Sequence, residues 1–572
     1  MANEVVLPDD YYLTNFQSLL DFVYRCYDHL LSEEELGFYR SFQALDHHSQ
    51  LLYVRLLSRK GVPSSAGALF RLSKLHYNEI ENIPATAERL QACGLLCRDP
   101  QLPLTQYLPL YTKAELLSFC GESFPKNIKR EQLLEALLEK DAAEFLSRLR
   151  HLDTAYGVQG GQHFDTFKLC FFGNLRQDLT EYVLRDLGLT RYENYPLDHG
   201  NLPFQSRHQV QQHLQYYQCL EQLEQMPLDN LEAVLELNSQ LPEGIDGDRT
   251  LQRRLERLRL TLARQLERLN ALSEAEHLYR QCQLPPARER LARIAVQRGE
   301  VDAGLAICRD ILAEPHNEEE RVFAKSFGHR TARRTEVATD WPAPKTAKPN
   351  SETLVLPPSD QRVELLVANH LQYKQLELSN QNIETTTDKQ CCFYVENSLF
   401  TGMLGLYLWD IVFAPIAGAF FNPFQSAPAD FHTPDFYRLR ADHIDQRLAE
   451  LNSQSLSERI WRTYREKRGI ANPLVNWTVI SEPLMELALT RISAAHWTSL
   501  FERLLSDLRH HRSGLPDLIL FPAAGGYELI EVKGPGDRLQ KNQLRWMAFF
   551  ERQGIPHRVI HVQWGNGSRK AL

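Results

Sequence analysis

Two acids and a lysine in a short hairpin pattern, Asp517, Glu531 and Lys533, constrain this chain more than any other feature. The segment GLPDLILFPAAGGYELIEVKGPGDRLQKNQLRWMAFFERQGIPHRVIHV, residues 514 to 562, reads as strand, Pro/Gly loop, strand, polar helix and third strand. Closing the hairpin with Phe521 and Tyr527 around the loop Pro522 to Gly526 sets Ile519 opposite Leu529 and Asp517 opposite Glu531. Lys533, two residues on, projects from the same face as Glu531. Carboxylates facing one another at a Cβ separation of about 4.5–5.5 Å repel, so the pattern calls for a cation between them. Oxygen-only ligands suit a hard ion, Mg²⁺ or Mn²⁺, with waters and a substrate phosphate completing the shell. The bland alternative is a surface hairpin whose acids point to solvent. The strand, loop, strand and helix context favours a nuclease site instead.

A third carboxylate is sought upstream. FYVENSLFTGMLGLYLWDIVF, residues 393 to 413, predicts a mostly buried helix that begins at Glu396, with Met403, Leu404 and Tyr407 at core spacing. By pattern alone Glu396 either offsets the helix dipole or aims at the hairpin's metal; the downstream hairpin selects the ligand role. Asp410 is a rival, better read as a buried acid with its own partner. Just before the hairpin, RHHRSGLPD places Arg509, His510, His511 and Arg512 beside Asp517. Arg509 and Arg512 are candidates to grip flanking phosphates, against the plainer reading of a solvated loop.

Charge limits where nucleic acid can bind. The 572 residues carry 64 basic against 73 acidic side chains, a net charge of −9, so any DNA footprint is local. Ten cysteines without a CxxC pair predict a reduced protein rather than a disulfide framework or zinc ribbon. The start, MANEVVLPDD, lacks the basic-then-apolar order of a signal peptide, and no apolar run is long enough to span a bilayer.

Composition and periodicity divide the chain into four regions. Residues 1–105 read as a helical, winged-helix-like region with three short helical patterns, SQLLYVRLLSRK, SAGALFRLSKL and ATAERLQACGLLCRD. Its basic residues Arg55, Arg59, Lys60, Arg71 and Lys74 are candidate phosphate contacts. Residues 106–150 hold two short helices, one opened by Thr112 and one starting near Lys129, with a basic turn between them, as in the small SAP-type DNA-binding module. Residues 151–350 read as a stacked helical-repeat array followed by a basic linker over 321–350; between 251 and 300 arginine recurs without lysine, a face that could guide DNA. Residues 351–572 carry the hairpin. The fold class expected is multidomain and mainly α, ending in an α/β restriction-endonuclease-like nuclease domain.

On GLPDLILF, ELIEVKGPGDRLQKNQLRWM and VENSLFTGMLGLYLWDIVF, the chain resembles the VRR-NUC branch of the PD-(D/E)XK nucleases, and within it the Fanconi-associated nucleases. LLSRKGVPSSAGALFRLSKLHYNEI and the SAP-like stretch stand in the order that family uses, so the resemblance spans roughly residues 45 to 572. It implies metal-dependent 5′-flap endonuclease and 5′-to-3′ exonuclease activity in repair of DNA interstrand crosslinks. It implies further that Asp517 and Glu531 are metal ligands, that Lys533 is the catalytic lysine, that Glu396 is the helix-borne acid, and that the Val532 carbonyl completes coordination. Gln425 in NPFQSAP would sit near the metal, and a pocket for a 5′ phosphate is expected somewhere in the chain. The absence of a Cys/His zinc-finger pattern at the N-terminus suggests a bacterial-type member, acting in the cytoplasm or nucleoid; a eukaryotic one would be nuclear.

Branched or flapped DNA is the expected partner, and no membrane is. Two other readings compete: a four-way-junction resolvase, as smaller VRR-NUC proteins are, and a non-catalytic DNA-binding helical-repeat adaptor. The intact Asp517, Glu531 and Lys533 set argues against the adaptor, and the large N-terminal portion favours flaps over junctions.

Overall fold

A computed structural model describes residues 10–120, 124–138, 142–177, 190–227, 229–335, 341, 349–378 and 390–565. The chain forms two compact units, residues 1–190 with 198–217, and residues 191–197 with 218–572.

In the first unit, helices Tyr11–Tyr27, Glu33–Gln43, His47–Ser58 and Ile83–Ala92 surround a small antiparallel sheet. Its strands β1 (Leu69–Arg71), β2 (Leu96–Arg98) and β3 (Ala155–Val158) lie in the order β1-β3-β2. The stretch SAGALFRLSKL is therefore a strand and a 3-10 turn, not the helix its apolar spacing predicts. Gly67 explains why: its φ is +84°, and a Cβ there would stand 2.0 Å from the Val158 carbonyl oxygen, so the backbone must pass close to β3 before pairing with it. Because β3 pairs between β1 and β2, the 106–150 helices are an insertion within this unit, and a boundary at 151 cuts through it. The insertion starts as expected: Thr112 Oγ1 accepts the Glu115 N–H, and Glu115 accepts the Thr112 N–H at 2.8 Å, a reciprocal cap opening helix Lys113–Cys120. Gly121 lies outside the described residues.

In the second unit, helices Arg249–Arg268, Leu272–Arg280, Ala287–Gln297, Val301–Ala313 and Glu318–Arg334 stack in sequence, the array that the spacing predicts. The first half of the supposed basic linker, to Arg334, belongs to the last of these helices. Asn317 caps it, three glutamates occupy its first turn and Arg333 and Arg334 its last, so its charges oppose the helix dipole favourably. Residues 336–340 and 342–348 of that stretch lie outside the described residues. Several of the array's arginines are paired internally, Arg288 with Glu320, Arg290 with Glu267 and Arg298 with Glu276, so part of the charge expected to guide DNA is held in structural ion pairs.

The nuclease sheet follows, in the order β4-β8-β7-β6-β5. Strands β4 (Ser351–Leu356) and β7 (Glu528–Lys533) each pair parallel with β8 (His557–Trp564), while β6 (Leu518–Phe521) pairs antiparallel with both β7 and β5 (Cys391–Tyr394). Alternation sorts the two faces. Leu518, Leu520, Ile530 and Val532 pack on helix Val363–Leu378, while Ile519, Phe521 and Leu529 face Trp546, Phe550 and the helices inserted between β5 and β6. All ten cysteines are free, and no helix among the described residues is long and apolar enough to cross a membrane.

Candidate nuclease site

The hairpin pairs Leu518 with Ile530, Ile519 with Leu529 and Leu520 with Glu528, the register that places Asp517 opposite Glu531. Asp517 immediately precedes β6 and Lys533 ends β7, so acid and lysine meet at one edge of the sheet. All three side chains are buried: Glu531 is 0% exposed, Asp517 and Lys533 8%.

Neighbouring groups hold this trio. The Val532 N–H donates to Asp517 Oδ2 at 2.8 Å. Lys533 Nζ lies 2.8 Å from Glu531 Oε1 and Gln543 Nε2 donates to the same oxygen at 2.6 Å. Part of the cation that the opposed acids require is thus the lysine itself. Glu531 Oε2 remains buried with no partner. Burial, reinforced by the neighbouring Asp517, pushes the Glu531 carboxyl up to about 8; burial raises Asp517 to about 6, with Glu364 and Glu396 adding to the rise. An orphaned carboxylate oxygen beside a second reluctant carboxylate fits a hard divalent ion.

Glu396 is not on a helix. Residues 391–394 are β5, and helix Leu399–Tyr407 starts beyond a turn in which Asn397 has φ +52°. The turn exists because Asn397 Oδ1 accepts the Leu515 N–H at 3.0 Å and Val395 donates to the Asp517 carbonyl at 2.8 Å, closing the ends of the long insertion onto each other. Glu396 is exposed and accepts a hydrogen bond from the Tyr394 hydroxyl. Among the described residues, no three Asp, Glu, His or Cys side chains are already drawn into a metal cage. Lys533 holds Glu531 and Tyr394 holds Glu396, so each of these acids has a cationic or donor partner that a divalent ion would displace. The residues that fit such an ion are Asp517 and Glu531, with Glu396 at the periphery.

Other expected site residues fall elsewhere. Gln425 closes a loop: its Oε1 accepts the Phe421 N–H at 2.5 Å and its own N–H donates to Tyr195, and none of its hydrogen bonds among the described residues goes to the acidic edge. The NPFQ turn needs that oxygen internally. Asp410 is 61% exposed, not buried, and pairs with Arg447 through both oxygens. Arg55 is bound to Glu79 and lies over the Tyr12 ring, Arg71 is bound to Asp153 and Glu115, and Lys74 shares Glu115; Arg59 and Lys60 are exposed. Arg509 and Arg512 are exposed, Arg509 lining a cavity of about 1250 Å³ with Arg253, Arg257 and His432, and Arg512 a smaller one beside Asn397. Burial and then the charges of Arg512 and Arg509 lower the His432 pKa. His510 pairs with Asp507 and the buried His511 bonds the Arg503 carbonyl oxygen at 2.6 Å, so neither is a loose loop residue.

Sequence reasoning missed Gln543. Its Oε1 accepts the Gln540 N–H at 2.8 Å, which fixes the amide so that its NH₂ points at Glu531. A Q-x-x-Q start to the helix Lys541–Gln553 after the hairpin was the available signal.

Comparison with known proteins places the geometry. The VRR-NUC domain matches residues 451–564 and the FAN1 HTH domain residues 10–97. The Fanconi-associated nuclease 1 homolog of Pseudomonas aeruginosa is 35% identical over 98% of both chains. The rice homolog is 24% identical, covering 96% of this chain and 62% of the relative, and the human protein is 32% identical over 29% of this chain and 17% of its own. A crystal structure of paFAN1 bound to 2-nt 5′-flap DNA with a gap superposes with a TM-score of 0.80 at 34% identity, covering 99% of this chain and 100% of that one. With the acid pair, lysine and sheet in that register, the chain belongs to the Fanconi-associated nuclease family.

Proposed function

We propose that this chain is a divalent-metal-dependent, structure-selective DNA nuclease that hydrolyses phosphodiester bonds at 5′ flaps and trims 5′ to 3′, in repair of interstrand crosslinks. One observation carries the reading: the buried Asp517 and Glu531 pair, with a partnerless Glu531 oxygen and Lys533 at 2.8 Å. Support for the substrate comes from the 5′-flap DNA held in the paFAN1 structures. Asp517, Glu531 and the Val532 carbonyl, with Glu396, would hold Mg²⁺ or Mn²⁺. Such an ion, when bound, polarises the scissile phosphate and lowers the pKa of the attacking water. Gln543 and the Val532 N–H hold the two acids in place, and Lys533 stands where its ammonium offsets negative charge growing on the phosphate. The cavity lined by Arg253, Arg257 and Arg509 offers the cationic walls that a terminal 5′ phosphate needs. Exposed Arg59 and Lys60 suit contacts to the duplex backbone, and a bacterial cell's nucleoid is the fitting location.

The test is cleavage of labelled 5′-flap, four-way-junction and single-stranded DNA in Mg²⁺ or Mn²⁺ by the wild type and Asp517→Asn. Flap cutting that vanishes in the variant is expected. Flap cutting unaffected by the substitution refutes the site, and preferential junction cutting would point to the resolvase reading.

A further inference from the structure

A cavity of about 260 Å³ opens beside the acidic edge of the sheet. Its walls come from the turn that follows Glu396, from residues 473–476 and from Arg512, so three stretches far apart in sequence build it. The turn is tied to the nuclease strands: Asn397 Oδ1 accepts the Leu515 N–H at 3.0 Å, and the Val395 N–H donates to the Asp517 carbonyl oxygen at 2.8 Å. The cavity therefore stands one residue along the chain from Glu396, and its wall is bonded to the segment that leads into Asp517.

The lining is chemically one-sided: it holds unspent donors and no carboxylate. Asn397 spends its Oδ1 on Leu515, and Asn476 spends its own on the Thr478 N–H at 3.1 Å and the Thr478 hydroxyl at 2.7 Å. A backbone N–H can be answered only by an acceptor, so both amides are fixed with NH₂ as the free end. Neither Nδ2 donates to a group among the described residues, and the exposed Arg512 makes no hydrogen bond or ion pair there. The Ser398 and Thr401 hydroxyls donate instead to the backbone carbonyls of Glu396 and Asn397. Leu474 and Val475 add apolar surface. Holding the turns accounts for the two amide oxygens, but not for two free NH₂ groups and a guanidinium around one space. Such a donor set without a counter-anion matches a phosphate, whose oxygens only accept, and the apolar wall suits the sugar attached to it.

We propose that this cavity is a subsite for a phosphodiester of the cleaved strand adjoining the scissile one, with Arg512 and the amides of Asn397 and Asn476 as substrate-positioning groups. The inference rests on the nuclease reading of Asp517 and Glu531 above. Its ligand is an internal linkage, not the terminal 5′ phosphate for which Arg253, Arg257 and Arg509 offer walls. Holding that linkage sets the next phosphate against the acids, so that binding energy is converted into orientation.

Flap cleavage by the full chain, with one linkage at a time on either side of the cut replaced by an uncharged methylphosphonate, tests this in wild type, Arg512→Ala and Asn476→Asp. Asn476→Asp keeps the acceptor that Thr478 needs and removes the donor. One neighbouring methylphosphonate should lower wild-type kcat/KM about ten-fold, whereas Arg512→Ala, already lower by about as much on ordinary DNA, should lose less than about two-fold more at that linkage. Asn476→Asp should raise the KM for ordinary flap DNA, and both variants should melt with the wild type. Equal losses in wild type and Arg512→Ala at every neighbouring linkage, or wild-type kinetics in Arg512→Ala, overturn the subsite while leaving the acids in place. An Arg512→Ala defect that disappears when the flap's 5′ phosphate is replaced by a hydroxyl overturns it too, since the cavity would then hold the strand's end. Flap cutting that survives Asp517→Asn overturns the nuclease site, and this subsite with it.

Discussion

The Val532 N–H donates to Asp517 Oδ2 at 2.8 Å, so the strand that carries Glu531 also orients the carboxylate opposite it. Burying the two acids side by side raises both their pKa values, and the same backbone bond keeps Asp517 from turning away to solvent. The fold stores an electrostatic cost at this edge.

Replacing Glu531 with Gln should stabilise the metal-free protein while abolishing cleavage. The folded-state pKa of about 8 lies above the ordinary value of 4.5. The contribution of the protonated acid is therefore fully present below about pH 4.5 and is lost as pH rises through about 8. In EDTA at pH 8.5 the variant should be more stable than wild type, by less than the raised pKa alone implies because Lys533 loses its carboxylate, and the gap should close towards pH 5. Calorimetric melts at both pH values decide it; a variant that melts lower at pH 8.5 would show the acid to be stabilising when ionised.

Metal binding should release protons. With Asp517 raised to about 6 and Glu531 to about 8, an incoming Mn²⁺ competes with bound protons throughout that interval. Apparent Mn²⁺ affinity should climb with pH between 6 and 8 and level off above it. Titrations in two buffers of different ionisation enthalpy read the proton release directly, and identical heats in both would count against it.

Gln543→Leu should lower the turnover rate by about 10- to 100-fold with little change in stability, because it removes a group that orients a ligand rather than the ligand itself. Gln543 touches Glu531 with one end of its amide and the Gln540 N–H with the other. Raising Mn²⁺ should recover part of the loss. An unchanged rate at limiting Mn²⁺ would remove Gln543 from the site.

The register of this site was legible because period-two alternation and one five-residue loop determine it: Phe521 and Tyr527 flank the loop, and Asp517 and Glu531 follow. The element carrying Glu396 is misread from sequence, since the apolar run after it has helical spacing from Leu399 onward while Phe393 and Tyr394 pair with β6, a strand more than a hundred residues away. SAGALFRLSKL misled for the same reason, its strand being set by β3 rather than by its own pattern. Charge counting also fails where arginines have partners distant in sequence, as Arg71 does in Asp153.

The difference between cations held in ion pairs and exposed cations outside them is testable in the first unit. Arg59 and Lys60 are exposed, so Arg59→Ala with Lys60→Ala should weaken DNA binding with melting unchanged. The dependence of binding on salt should flatten as well, by up to roughly one unit of log–log slope for each phosphate no longer neutralised. Arg71→Ala should do the reverse. Its guanidinium is bound to Asp153 at 2.7 Å and Glu115 at 3.0 Å with only 10% of the side chain exposed, so removal costs stability first. Equal salt slopes for wild type and the double variant would take Arg59 and Lys60 off the DNA.

Asp435 joins the helical array to the nuclease insertion. It is 10% exposed, lies 3.2 Å from Arg249, is bound also by Arg253, and both arginines come from helix Arg249–Arg268. Arg253 is itself 16% exposed, and the same helix contributes Arg253 and Arg257 to the large cavity that Arg509 lines. Asp435→Ala should leave Arg253 without its carboxylate in a largely dehydrated position, costing about 3–5 kcal/mol. Asp435→Asn, which retains a hydrogen-bond acceptor, should cost less. If the array positions the cavity wall, Asp435→Ala should also raise the KM for flap DNA more than it lowers kcat, because the acids at the sheet edge are untouched. Urea denaturation together with flap-cleavage kinetics measures both; a loss confined to kcat would show that the joint acts on the catalytic edge and not on the wall.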